Sequence, residues 1–144
     1  MKDSQKTMGK KSSKASSISL TELLYGILSY ITQNKEMRTI PRDSVYMGIF
    51  EIRNKYPNYF NQIHFVKRGK IQFSKQIEDV LFDLGASGIM EAKNPKNQYF
   101  EFSHSFDSAK ENLIKWHGKK AVDVLVPMAE QFYSAIKEKC PQYL

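Results

Sequence analysis

One cysteine is too few for an internal disulfide, so Cys140 excludes the stapled frameworks of small secreted domains. No apolar run is long enough to cross a membrane. The best candidate, residues 18–31, is short and amphipathic, is interrupted by Glu22 and Gly26, and precedes no small-residue cleavage site. Neither a signal peptide nor a spanning helix is expected, and the expected location is cytoplasmic. His64, His104 and His117 lie far apart, and no Cys/His pair has zinc-ligand spacing, so no metal or other cofactor is expected. Gly85-Ala86-Ser87-Gly88 lacks the Lys-Ser/Thr of a phosphate loop and falls at the end of a helical pattern, not at its start. Glu78, Asp79 and Asp83 have neither a nucleophile nor a metal ligand beside them and read as a solvated helix face. No enzyme is expected.

What is present is a globular composition with a basic excess. The 144 residues suffice for one domain with a real core. The formal net charge is +7, which invites a nucleic-acid reading. Its distribution weakens that inference. Lys2, Lys6, Lys10, Lys11 and Lys14 against Asp3 put +4 into residues 1–17, leaving +3 for the other 127. The first 17 residues have no apolar periodicity and read as a basic tail that a core cannot order. Residues 18–144 show neither repeat nor linker and read as a single unit.

Within that unit, Leu20, Leu23, Leu24, Ile27, Leu28 and Ile31 give one apolar helix face, and Ser19 with Glu22 forms a capping-box pattern. The helix should end near Gln33-Asn34. A second helix should start around Pro41-Arg42, bury Val45, Tyr46, Ile49, Phe50 and Ile52, and stop before Tyr56-Pro57. An irregular hairpin or loop is expected around Lys67-Arg68-Gly69-Lys70. Ser74 should cap a third helix carrying Ile77, Val80, Leu81 and Leu84, ended by Gly85 and Gly88. Residues 89–93 and 98–103 read as two strands around the turn-forming run 94–97. Asp107 is the expected cap of a helix with Ala109, Leu113 and Trp116 on one side, terminated by Gly118. A last helix from about residue 119 to 139 contains Pro127, which should kink it or start a fresh helix.

Three helices followed by a hairpin, together with Ile77-x-x-Val80-Leu81-x-x-Leu84-Gly85-x-x-Gly88-Ile89 and Gln98-Tyr99-Phe100-Glu101-Phe102, resemble a winged-helix domain. The resemblance implies an α+β, mainly α fold. It would have a winged-helix-like core, a two-stranded wing and a C-terminal helical extension from about residue 107. It further implies that the third helix enters a DNA groove and that residues 107–139 are the candidate homodimer interface.

On that basis the chain is expected to be a regulatory protein that binds duplex DNA and acts in transcription. Lys67, Arg68, Lys70, Lys75, Lys93 and Lys96 would contact the backbone, and Ser74 and Gln76 would reach base edges. Against this, residues 74–84 hold Lys75 but also Glu78, Asp79 and Asp83, a net of −2 on the element that should approach phosphate. The alternative is a non-catalytic protein-interaction module that turns this acidic helix toward a protein partner. RNA binding led by the tail is a third reading.

Overall fold

The computed structural model describes residues 18–93, 99–102 and 105–139. The tail, the turn at 94–97 with Lys96, His104 and Cys140 lie outside them. The first helix, α1 (Leu20–Asn34), starts as its sequence requires. The Ser19 amide donates to Glu22 Oε1 at 2.9 Å, and the Glu22 amide donates to Ser19 Oγ at 3.0 Å. These two bonds satisfy donors that a bare helix end would leave open.

A short strand, β1 (Thr39–Pro41), follows and runs straight into α2 (Arg42–Ile52). The sequence reading did not anticipate β1. Three residues carry no period of their own, and this strand exists only through pairing with a segment some 60 residues away. After a single turn of helix, α3 (Pro57–Phe60), the expected hairpin forms as β2 (Val66–Arg68) and β3 (Ile71–Phe73). The third expected helix is α4 (Lys75–Ala86), capped by Ser74. Gly85 lies inside it, and termination falls to Gly88, whose φ of 82° suits a glycine.

The last pair of strands, β4 (Met90–Lys93) and β5 (Tyr99–Phe102), is antiparallel, and β5 also pairs with β1. The sheet order is therefore β1–β5–β4, with Ile40 and Ala92 flanking Phe100. Two helices complete the described residues, α5 (Phe106–His117) and α6 (Lys119–Lys139). The class is α+β, mainly helical, as expected.

Two expectations need correction in this C-terminal part. Ser105, not Asp107, holds the N-cap position of α5, and Asp107 sits in the first turn. Trp116 is 67% exposed instead of buried beside Leu113. The buried face continues to His117, four residues on from Leu113, where the ring meets Glu22 of α1. Of the two outcomes expected at Pro127, a fresh helix does not occur, because α6 runs on through it. Pro127 and Asp123, whose carbonyl loses its helical donor, are both exposed, so water can serve that oxygen.

The buried side chains form one apolar cluster reaching from Ile18 to Ile136. In α6 the apolar stripe Leu125, Met128, Phe132 and Ile136 is fully covered, because α6 packs on α1 and α2. The extension is part of the same core. Among the described residues no helix is long and apolar enough to cross a membrane.

Candidate nucleic-acid interface

The β2–β3 hairpin is built around a two-residue turn, Gly69-Lys70. Gly69 has φ 60°, and Glu36 is the only non-glycine among the described residues with positive φ. Glycine at the first central position is what a II′ turn requires, and such turns match the twist of paired strands. Lys67 pairs with Gln72 and Arg68 with Ile71, so alternation sends Lys67 and Gln72 to one face and Arg68 and Phe73 to the other. Phe73 is buried with its ring 5.2 Å from that of Tyr46, which anchors the hairpin on α2. The Arg68 guanidinium lies 3.8 Å from the Phe73 ring centre. That stack limits the freedom of a long side chain while leaving its N–H groups outward.

Lys67, Arg68 and Lys70 are all exposed. None of the three forms an ion pair with a carboxylate among the described residues. The structure thus brings these three expected cations together on one element.

It does not do so for the rest. Ser74 is fully buried, and its hydroxyl accepts from the Ile77 amide at 3.3 Å. Gln76 is held at both ends of its amide: Oε1 accepts from the His64 amide at 2.7 Å, and Nε2 donates to the Gln62 carbonyl at 2.8 Å. Both residues position the segment before α4, and neither presents a free polar group to a base edge. Their expected role in base readout is therefore corrected. Lys75 is exposed but is paired with Glu78 at 3.3 Å and Asp79 at 3.1 Å. Asp79 first, then Glu78, raise its pKa above the ordinary lysine value, so it stays charged while the two carboxylates locally offset that charge. Lys93 ends β4 opposite Tyr99, while Lys96 lies outside the described residues.

Two further residues matter that the sequence reading passed over. Arg42, at the start of α2, reaches Glu78 at 3.4 Å and ties α2 to α4. Phe82 on α4 is 73% exposed. A signal for it existed. It follows the buried Leu81 by about 100° of helix rotation, which carries it off the face shared by Ile77, Val80 and Leu84. The outward surface of α4 therefore combines Asp79, Phe82 and Asp83 with the ion-paired Lys75, and it does not resemble a phosphate-facing helix.

Among the described residues no group of three or more His, Cys, Asp or Glu side chains is placed to hold a metal ion. His117 Nε2 is 3.0 Å from Glu22 Oε2 and is engaged structurally. Comparison of the chain with protein-family models, with curated proteins and with solved structures found no match.

Proposed function

We propose that this protein binds duplex DNA through the β2–β3 hairpin, on a winged-helix scaffold formed by α1, β1, α2, α4 and the β4–β5 wing. The order of these elements and the sheet order β1–β5–β4 support that scaffold. The function rests on one observation, the segregation of charge. Between Glu51 and Glu78 the chain carries six cations and no carboxylate, whereas the rest of residues 18–144 carries eleven cations and fourteen carboxylates. Of the six, Arg53 donates to the Phe50 carbonyl, Lys55 donates to Gln131 and Lys75 is ion-paired. The hairpin trio remains for phosphate.

A two-stranded ribbon fits the major groove of B-form DNA, whereas the deep, narrow major groove of A-form RNA does not admit it. Lysine and arginine contacts of this kind release counterions and position the protein without reading sequence. The proposed role is thus backbone binding in a regulatory protein, with no base readout by Ser74 or Gln76.

Anisotropy of a labelled duplex across a salt series tests the proposal. Full-length Lys67→Gln/Arg68→Gln/Lys70→Gln protein should bind more weakly at low salt. The slope of log K against log salt should shrink by about 2.7, at about 0.9 per lost phosphate contact. The five tail lysines changed to Gln provide the comparison. If the tail variant loses all binding and the hairpin variant none, the hairpin is not the DNA surface. Double-stranded RNA of the same length should bind less tightly than DNA.

A further inference from the structure

Residues opposite one another in an antiparallel pair share a face, so the β2–β3 hairpin has two faces of different chemistry. One holds Val66, Arg68, Ile71 and Phe73, and it is anchored on α2 where the buried Phe73 ring meets Tyr46. The other holds Lys67 and Gln72, directly opposite each other and turned away from that anchor. Gln72 is half-buried, and among the described residues its side-chain amide has no hydrogen-bond partner. Tyr46 Oη is the one buried side-chain polar atom left unpartnered among those residues, so the Gln72 amide reaches the surface. Gln76, by contrast, is held at both ends of its amide.

The chemistry of that amide is unlike the rest of the hairpin. Lys67, Arg68 and Lys70 carry donors only, and Val66, Ile71 and Phe73 carry no side-chain donor or acceptor. Gln72 alone in the hairpin offers a donor and an acceptor side by side. A phosphate has only acceptors and would use half of that group. The major-groove edge of adenine presents an acceptor, N7, beside a donor, the N6 amine, and a glutamine amide matches both at once. A groove about 12 Å wide admits a two-stranded ribbon with one face toward the base edges. The face opposite the protein core is the one free to turn that way.

We infer that Gln72 reads an adenine in the major groove, its Nε2 donating to N7 and its Oε1 accepting from the N6 amine. This inference rests on the DNA reading above and adds a base preference to it. Lys67, Arg68 and Lys70 hold the ribbon at the backbone, and Gln72 selects the base pair beneath it.

The test enriches duplexes with a randomised centre on full-length protein and measures the enriched sequences by anisotropy. One position should favour A·T over the other pairs by about tenfold, the scale of one bidentate contact. Gln72→Ala should abolish the preference at that position and leave the salt slope unchanged, because an amide releases no counterion. Gln72→Glu, which can only accept, should move the preferred base from adenine to cytosine. A 7-deazaadenine at that position lacks the N7 acceptor. It should weaken binding of the unsubstituted protein several-fold and that of Gln72→Ala not at all. Circular dichroism verifies that both variants stay folded.

Three results overturn the inference while leaving the DNA reading intact. Gln72→Ala could keep the original preference. It could weaken all duplexes equally, which makes Gln72 a backbone contact. No sequence could be enriched although the hairpin cations still set the salt slope. If the Lys67→Gln/Arg68→Gln/Lys70→Gln protein binds as the unsubstituted one does, the DNA reading of the hairpin fails and this inference with it, so the two failures are distinguishable.

Discussion

At Gly48 the backbone of α2 comes so close to α6 that a Cβ would lie 2.3 Å from Phe132 Cε2 and 2.6 Å from its Cδ2. The Phe132 ring is fully buried and has little room to retreat. Gly26 of α1 meets Leu125 at 2.8 Å in the same sense, though a leucine tip can yield more easily than a ring. In an exposed helix, Gly→Ala would stabilise by up to about 1 kcal/mol. At position 48 overpacking, commonly about 1–3 kcal/mol, opposes that gain. Gly48→Ala should therefore lower Tm, and Gly48→Ala/Phe132→Leu should recover part of the loss; thermal unfolding of the two proteins checks both. Nothing in the helical period of α2 singles out Gly48. Its need for a bare backbone is set by a residue 84 positions later.

The elements differ in how openly their sequence announces them. α1 and α4 carry an N-cap serine and apolar spacings of three and four, and both appear where those signals put them. Their ends are settled by local hydrogen bonds, which neighbouring residues determine. β1 and the exposure of Trp116 depend on distant partners and were not legible. α1 also joins α5 through Glu22, which accepts from the Ser19 amide and meets His117. Partial burial raises the Glu22 pKa, but the Ser19 amide and His117 outweigh that and leave it below the ordinary 4.5. A carboxylate with a depressed folded pKa stabilises the fold above its unfolded pKa, and the contribution disappears as pH falls through the folded value. Glu22→Gln should thus cost about 1 kcal/mol at neutral pH, the scale of a lost cap. The gap to the unsubstituted protein should close as pH drops below 4.5. Denaturant unfolding at pH 7 and at acid pH measures this. A constant gap would mean that the ionised carboxylate is not what ties α1 to α5.

For the whole molecule, the surface left over after folding decides which partners remain possible. The apolar stripe of α6 is consumed by α1 and α2, so the homodimer expected through residues 107–139 cannot use it. What that region leaves open is Ile114, 43% exposed, and Trp116, 67% exposed, on α5. If the chain dimerises through its C-terminal helices, Trp116→Ser should convert dimer to monomer in light scattering, while a change on α6 such as Glu138→Gln should not. A monomer at every concentration would leave α5 without that role. The candidate DNA site divides in the same way. Lys67, Arg68 and Lys70 are legible as a site because they surround one tight turn, which is a local feature. Ser74 and Gln76 were misjudged because their side chains turn inward to bonds that only the folded loop at 62–64 and the cap of α4 create.

By itself the amino-acid sequence determined the class, the starts of α1, α2, α4 and α6, the hairpin turn and the uneven placement of charge. Each of these follows from composition or from residues within a few positions of one another. Tertiary structure alone decided that β1 completes the sheet, that α6 belongs to the core and that Arg42 pairs with Glu78 of α4. It also decided that Phe82 borders a groove between α4 and the sheet instead of lying on a bare helix face. Those outcomes depend on packing and ion pairing between segments distant in sequence, and no local period or motif records which distant side chain will be the neighbour.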